Sequence, residues 1–174
     1  TTRGLYPYGH DPDKIRCMSI AVDAATAYIV PGYSSQYFEE HPNYCLDERL
    51  KTVINKAKLI THNGMFDVAF LKQAGYNCKL FFDTFLAHYM LDERSYSHGL
   101  KNLAHKYLGA PDWEADIKNY LPNKHSSYDL IPDDVIYTYA SSDSVYTYQL
   151  SEGLGWRERV GQQKVFNDLL MPCA

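Results

Sequence analysis

The order of segments predicts an α/β fold, a mixed β-sheet flanked by helices. Three observations carry this expectation. Residues 16–22 and 27–30 read as paired strands, residues 47–91 alternate between strand and helix patterns, and beyond residue 100 only helical periodicity remains. At 174 residues, 45% hydrophobic and 22% charged, the chain can bury a full core, and one compact domain is expected.

Met18, Ile20 and Val22 alternate with polar neighbours, and the turn residues Asp23 to Thr26 separate them from a second apolar run, so a β-hairpin is expected. Leu50, Val53, Ile54 and Ala57 share one face of a helix over 47–58, and residues 59–61 follow as a short buried strand. In His62-Asn63-Gly64 the glycine is expected to let the chain turn sharply into a helix that ends near Gly75. Residues 79–82 read as another strand. Asp83 or Thr84 then caps a helix marked by Phe85, Leu86, Tyr89 and Met90. Leu100, Leu103, Ala104, Tyr107 and Leu108 mark a further helix closed by Gly109. From 110 to 130 the pattern is lost, and a connection of that length in a small domain tends to be functional. Pro132 suits the first turn of a helix through Tyr139 and Asp143 to Gly153, and a last helix is expected over 156–170.

Net charge of −4 leaves no global basic footprint, so contact with nucleic acid would have to come from a local patch or from bound cations. Cys17, Cys45, Cys78 and Cys173 have no zinc-type spacing and read as reduced thiols of an intracellular, cytoplasmic protein. No apolar run is long enough to span a bilayer, and no membrane partner is expected. The 16 tyrosines read as half-buried packing residues with a polar tip.

Two i, i+4 pairs, Asn63/Asp67 and Tyr139/Asp143, put carboxylates on apolar stripes. Asp67 shares its face with Phe70, Leu71 and Ala74, and Asp143 lies on the stripe of Ile136, Ala140, Thr147 and Leu150. An unpaired ionised group there costs several kcal/mol. Neither stripe carries a Lys or Arg, which points to a divalent cation as the missing positive charge. Asn63 has a competing reading as a helix N-cap, Tyr139 as a core tyrosine, and His62 as a polar residue at a strand end. Trp113 and Trp156 read as packing residues. Lys118, Lys124 and His125 form a local basic cluster that offers phosphate contact or is a solvated loop.

These residues resemble a known family. His62-Asn63-Gly64-Met65-Phe66-Asp67 is similar to the second motif of the DEDD 3′-to-5′ exonucleases, and Tyr139-Ala140-Ser141-Ser142-Asp143 to the third motif of their tyrosine subclass. The histidine subclass would place a histidine at Thr138. The connecting run, Phe82-Asp83-Thr84 and then Leu100 to Gly109, resembles the proofreading domains of family A (DNA polymerase I-like) DNA polymerases. The resemblance implies a ribonuclease H-like fold with most of its first strand missing from the chain. It also implies two Mg²⁺ or Mn²⁺ ions, Asp67 and Asp143 as metal ligands, and Tyr139 orienting the attacking water.

Asn63 and His62, with Lys118 and Lys124, would contact the substrate, the 3′ end of single-stranded DNA. The family's first motif, Asp-x-Glu, would fall just before Thr1, so the chain by itself is expected to be inactive. Residues 1–154 are assigned to the exonuclease domain, and 155–174 to a helix leading towards a polymerase domain of the same parent chain. Two alternatives stay open at this point. One is a freestanding ribonuclease D-like or Werner-type exonuclease, and the other a catalytically silent exonuclease-like domain that binds nucleic acid.

Overall fold

The computed structural model describes residues 15–32, 48–94, 98–121, 128–153, 155–160 and 163–173. Strands β1 (Cys17–Ala21) and β2 (Ala27–Pro31) form the expected antiparallel hairpin, with Cys17 opposite Pro31 and Ala21 opposite Ala27. The Asp23 carboxylate accepts the backbone N–H groups of Ala25 and Thr26 and so closes the turn. Helix α1 (Glu48–Lys56) follows, then β3 (Leu59–Thr61), α2 (Gly64–Gln73) and β4 (Leu80–Asp83). Strands β3 and β4 pair in parallel, with Thr61 opposite Asp83. Parallel pairing requires a crossover connection, and α2 supplies it. Among the described residues the strands form two separate pairs rather than one continuous sheet.

Helices α3 (Thr84–Leu91), α4 (Leu100–Leu108) and the 21-residue α6 (Asp133–Gly153) cover these pairs, α6 lying against both β1 and β3. Pro132 stands just outside α6, and its carbonyl accepts the Ile136 N–H at 3.0 Å. Hydroxyls inside α6 are satisfied within the helix: Thr138 donates to Asp134, Ser142 to Thr138 and Ser144 to Ala140. The buried Arg16 guanidinium ties the start of β1 to α6 by pairing with Asp133 and donating to the Ile131 carbonyl. The main core joins Phe82, Leu103, Leu150, Trp156, Val160 and Phe166, and a second cluster packs α1 against Tyr76 and Cys78. Cys17, Cys78 and Cys173 are free thiols. No helix among the described residues is long and apolar enough to cross a membrane.

Three expectations need correction. The stretch 110–130 is not patternless: it holds α5 (Ala115–Lys118), whose Ile117 is buried, and a 3₁₀ turn at Tyr128–Leu130. The polar run 123–127 lies outside the described residues. The last segment is not one helix. Helix α7 (Trp156–Val160) stops, and a π-helical stretch, Val165–Leu170, leads into α8 (Met171–Cys173). Each piece buries a different anchor, Trp156 with Val160 in one and Phe166 in the other. Finally, Gly64 does not make the sharp turn. The left-handed residue is Asn63, at φ 63°, and the glycine is required because a Cβ there would lie 2.0 Å from Thr61 Oγ1 and 3.0 Å from Leu80. Gly109, at φ 65°, closes α4 as expected.

Candidate active site

Asp83, at the end of β4, organises the floor of the site. It is 1% exposed, and its carboxylate accepts Gly64 N–H at 2.6 Å, Asn63 N–H at 3.2 Å, Phe85 N–H at 2.8 Å and Leu86 N–H at 3.2 Å. One carboxylate therefore caps α2 and α3 together and holds the carboxyl ends of β3 and β4 in register. Asn63 stands at the N-cap position of α2, but its side chain makes no capping bond and the Asp83 carboxylate does that work. Its exposed carboxamide stands beside the strand end.

Asp67 sits in the first turn of α2, half-buried, and meets no hydrogen-bond donor or cation among the described residues. Desolvation, with Asp83 and Asp143 adding repulsion, raises its pKa from 3.8 to about 7. The folded state therefore binds a proton that the unfolded state has already released between about pH 4 and 7, and stability falls as pH rises through that window. In chelator at pH 8, Asp67→Asn should raise stability by about 1–2 kcal/mol, roughly 3–6 °C in melting temperature. The gain should vanish below about pH 4, where the wild-type carboxyl is protonated in both states. A scan of melting temperature against pH reads both; a destabilised variant at pH 8 would show that Asp67 is a structural acid.

Tyr139 and Asp143 lie one turn apart on α6 and face a cation that their own helix does not carry. Lys101 of α4 places its ammonium 2.8 Å from the Tyr139 hydroxyl, 3.0 Å from Asp143 Oδ1 and 3.2 Å from Glu114 Oε1. It also lies 4.6 Å from the centre of the Tyr139 ring. This corrects the expectation that Asp143 lacks a basic partner. Trp113, read as a packing residue, does more: its ring stacks on Tyr146 and its Nε1–H donates to Asp143 Oδ1 at 2.8 Å. Both partners meet Oδ1, and Oδ2 has none among the described residues.

Burial works against the charge of Lys101, but Asp143 and Tyr139 outweigh it and raise its pKa. Desolvation and then the Asp143 charge push the Tyr139 phenol up to about 12. It is protonated at neutral pH.

His62 lies at the end of β3 with Nδ1 2.9 Å from the Thr84 hydroxyl, which itself donates to the Thr61 carbonyl. Desolvation lowers its pKa to about 4. It is neutral at pH 7. Lys118 is exposed and pairs with Asp112 at 3.1 Å and Glu114 at 3.5 Å. Lys124 and His125 lie outside the described residues. A cavity of about 170 Å³ beside Tyr139, lined by Trp113, Asp116 and Thr138, is too small for a nucleotide by the usual range of ligand sites.

No three His, Cys, Asp or Glu side chains gather as a metal cluster among the described residues. The donor chemistry nevertheless fits a hard divalent ion. Both oxygens of Asp67 and Oδ2 of Asp143 are carboxylate oxygens without partners among those residues, and Asp143 lies near enough for its charge to raise the Asp67 pKa.

An acid in the first turn of α2, beside the ends of two parallel strands and within reach of the Asp143 charge on α6, makes an acidic site. Residues 2–156 match the family of 3′-5′ exonuclease domains found in family A DNA polymerases, and the chain belongs to that family. It is 34% identical over 111 residues to a DNA polymerase of Escherichia phage T5, covering 53% of this chain and 13% of the relative. It is 36% identical over 96 residues to DNA polymerase I of Chloroflexus aurantiacus, covering 53% of this chain and 10% of the relative. With DNA polymerase I of Aquifex aeolicus the identity is 28% over 125 residues, 68% of this chain and 20% of the relative. The chain thus spans between a tenth and a fifth of the length of these relatives. The mixed α/β architecture is consistent with the ribonuclease H-like fold of such exonucleases. The alternative of a freestanding ribonuclease D-like or Werner-type enzyme is not favoured.

Proposed function

We propose that this site removes the 3′-terminal nucleotide from single-stranded DNA, as the proofreading nuclease beside a polymerase domain in the same parent chain. The observation that carries the reading is the pair of acids Asp67 and Asp143, close enough for the Asp143 charge to raise the Asp67 pKa, with the Tyr139 hydroxyl one turn before Asp143 held by Lys101. Asp67 and Asp143 would hold Mg²⁺ or Mn²⁺. When bound, such ions supply Lewis-acid stabilisation of the charge that builds on the phosphate.

The residues of the chain do the rest. Because Tyr139 accepts a hydrogen bond from Lys101, its own O–H is free to point at an incoming water oxygen and orient it. A phenol held at about pKa 12 orients and does not act as a base. The water oxygen forms a bond to phosphorus as its proton passes to solvent, and the P–O3′ bond breaks as the departing O3′ takes a proton from solvent. A 5′-mononucleotide leaves, and the shortened strand keeps a 3′-hydroxyl.

The Asn63 carboxamide and the His62 ring edge lie at the strand end where the last nucleotide would seat, and a frayed end needs no duplex-sized basic surface. Lys118 and Lys124 would meet the backbone phosphates, Lys118 by leaving Asp112. The test is stepwise shortening of a 5′-labelled single-stranded oligonucleotide by the intact gene product, dependent on Mg²⁺ and stopped by chelator. Binding of the oligonucleotide without shortening would leave the domain as a silent binding module.

A further inference from the structure

Lys101 holds three acceptors within 3.2 Å and is the one basic side chain in contact with Asp143 among the described residues. Its ammonium lies on Asp143 Oδ1, on Glu114 Oε1 and on the Tyr139 hydroxyl, packed against two aromatic rings. A divalent ion arriving at Asp143 meets this ammonium on the same carboxylate, and like charges so close repel strongly where solvent is partly excluded. Glu114 offers a second carboxylate seat already within hydrogen-bond distance of the ammonium.

We propose that Lys101 is the resident counter-cation of Asp143, and that a divalent ion takes its place by driving the ammonium onto Glu114. Metal occupancy thereby resets the hydrogen bond that Lys101 donates to Tyr139. In the metal-free protein the lysine neutralises an acid that would otherwise lack a cation. In the loaded protein it stays beside the site as a positioning residue for the tyrosine hydroxyl. The inference rests on the proposed metal site at Asp67 and Asp143, and asks which charge that site must expel to fill.

Direct Mn²⁺ binding, read by the loss of the free-ion electron paramagnetic resonance signal, tests it without any assay of activity. Lys101→Met should bind Mn²⁺ about tenfold more tightly than wild type, because the competing charge is gone, while Lys101→Arg stays within about twofold. The metal-free melting temperature of Lys101→Met should fall, and the deficit should close at saturating Mn²⁺. Glu114→Gln should bind Mn²⁺ several-fold more weakly, since the ammonium loses its second seat. That loss should disappear in the Lys101→Met background, which separates a relay through Lys101 from a direct effect of the Glu114 charge.

Equal or weaker Mn²⁺ affinity in Lys101→Met, with binding still abolished by Asp143→Asn, would overturn the exchange and leave the metal site standing. If no variant binds Mn²⁺ in an Asp143-dependent way, the exchange and the metal site both fall. Should Lys101→Met not fold, Lys101→Gln takes its place in both arms: tighter Mn²⁺ binding there, with the Glu114→Gln loss abolished in that background, supports the exchange, and equal or weaker binding overturns it.

Discussion

Replacing Asp83 by alanine should cost the fold about 3–5 kcal/mol, from two lost helix caps and buried donors left unmet. Four backbone N–H groups, those of Asn63, Gly64, Phe85 and Leu86, converge on this one buried carboxylate. In Asp83→Ala the N-termini of α2 and α3 lose their acceptor together, at a buried position. Asp83→Asn keeps one acceptor oxygen and should fall between wild type and alanine. Asn63→Gly should be neutral or slightly stabilising, since the Asn63 side chain makes no cap bond and its backbone is left-handed. Urea titration of the three variants gives the order. A loss below about 1 kcal/mol for Asp83→Ala would mean that the freed N–H groups find other partners.

Asp143→Asn should lower nucleotide release by about a thousandfold or more, and Tyr139→Phe by about ten- to a hundredfold, with different signatures. Asparagine removes the charge proposed to hold the ion, so both metal affinity and turnover should fall. Phenylalanine keeps the ring that Lys101 lies against but removes the hydroxyl that orients water, so kcat falls while Mn²⁺ affinity stays close to wild type. Single-turnover kinetics against Mn²⁺ concentration separates the two. Full activity in Tyr139→Phe would remove the hydroxyl from the mechanism, and full activity in Asp143→Asn would remove the metal site.

Much of this arrangement is legible in local patterns, because it depends on contacts within a turn or two of chain. The hairpin, α1, α2, α4 and α6 follow from periods of 2 and 3.6, and Gly109 from the need for positive φ at a helix end. Tyr139 and Asp143 are one turn apart in any helix, so their common face is readable before folding is considered. Asp67 is readable as an acid among apolar neighbours for the same reason. The break after α7 is not, since the helical pattern of 156–170 continues across it and only the separate burial of Trp156 and Phe166 divides it.

What pairs with these acids is a different matter. Lys101 looks like one more surface lysine beside the stripe of Leu100, Leu103 and Ala104, and the tyrosine it meets is 38 residues away on another helix. Trp113 reaches Asp143 across 30 residues, from the turn just before α5. Asp83 is legible as the cap of the helix that follows it, yet its second role, capping a helix that starts 19 residues earlier, exists only because β3 and β4 pair in parallel. Residue spacing along the chain determined which acids and which tyrosine share a face. The docking of α4 and the Trp113–Glu114 turn against α6 decided which cation faces them, because charges couple through distance in space and not through separation in sequence.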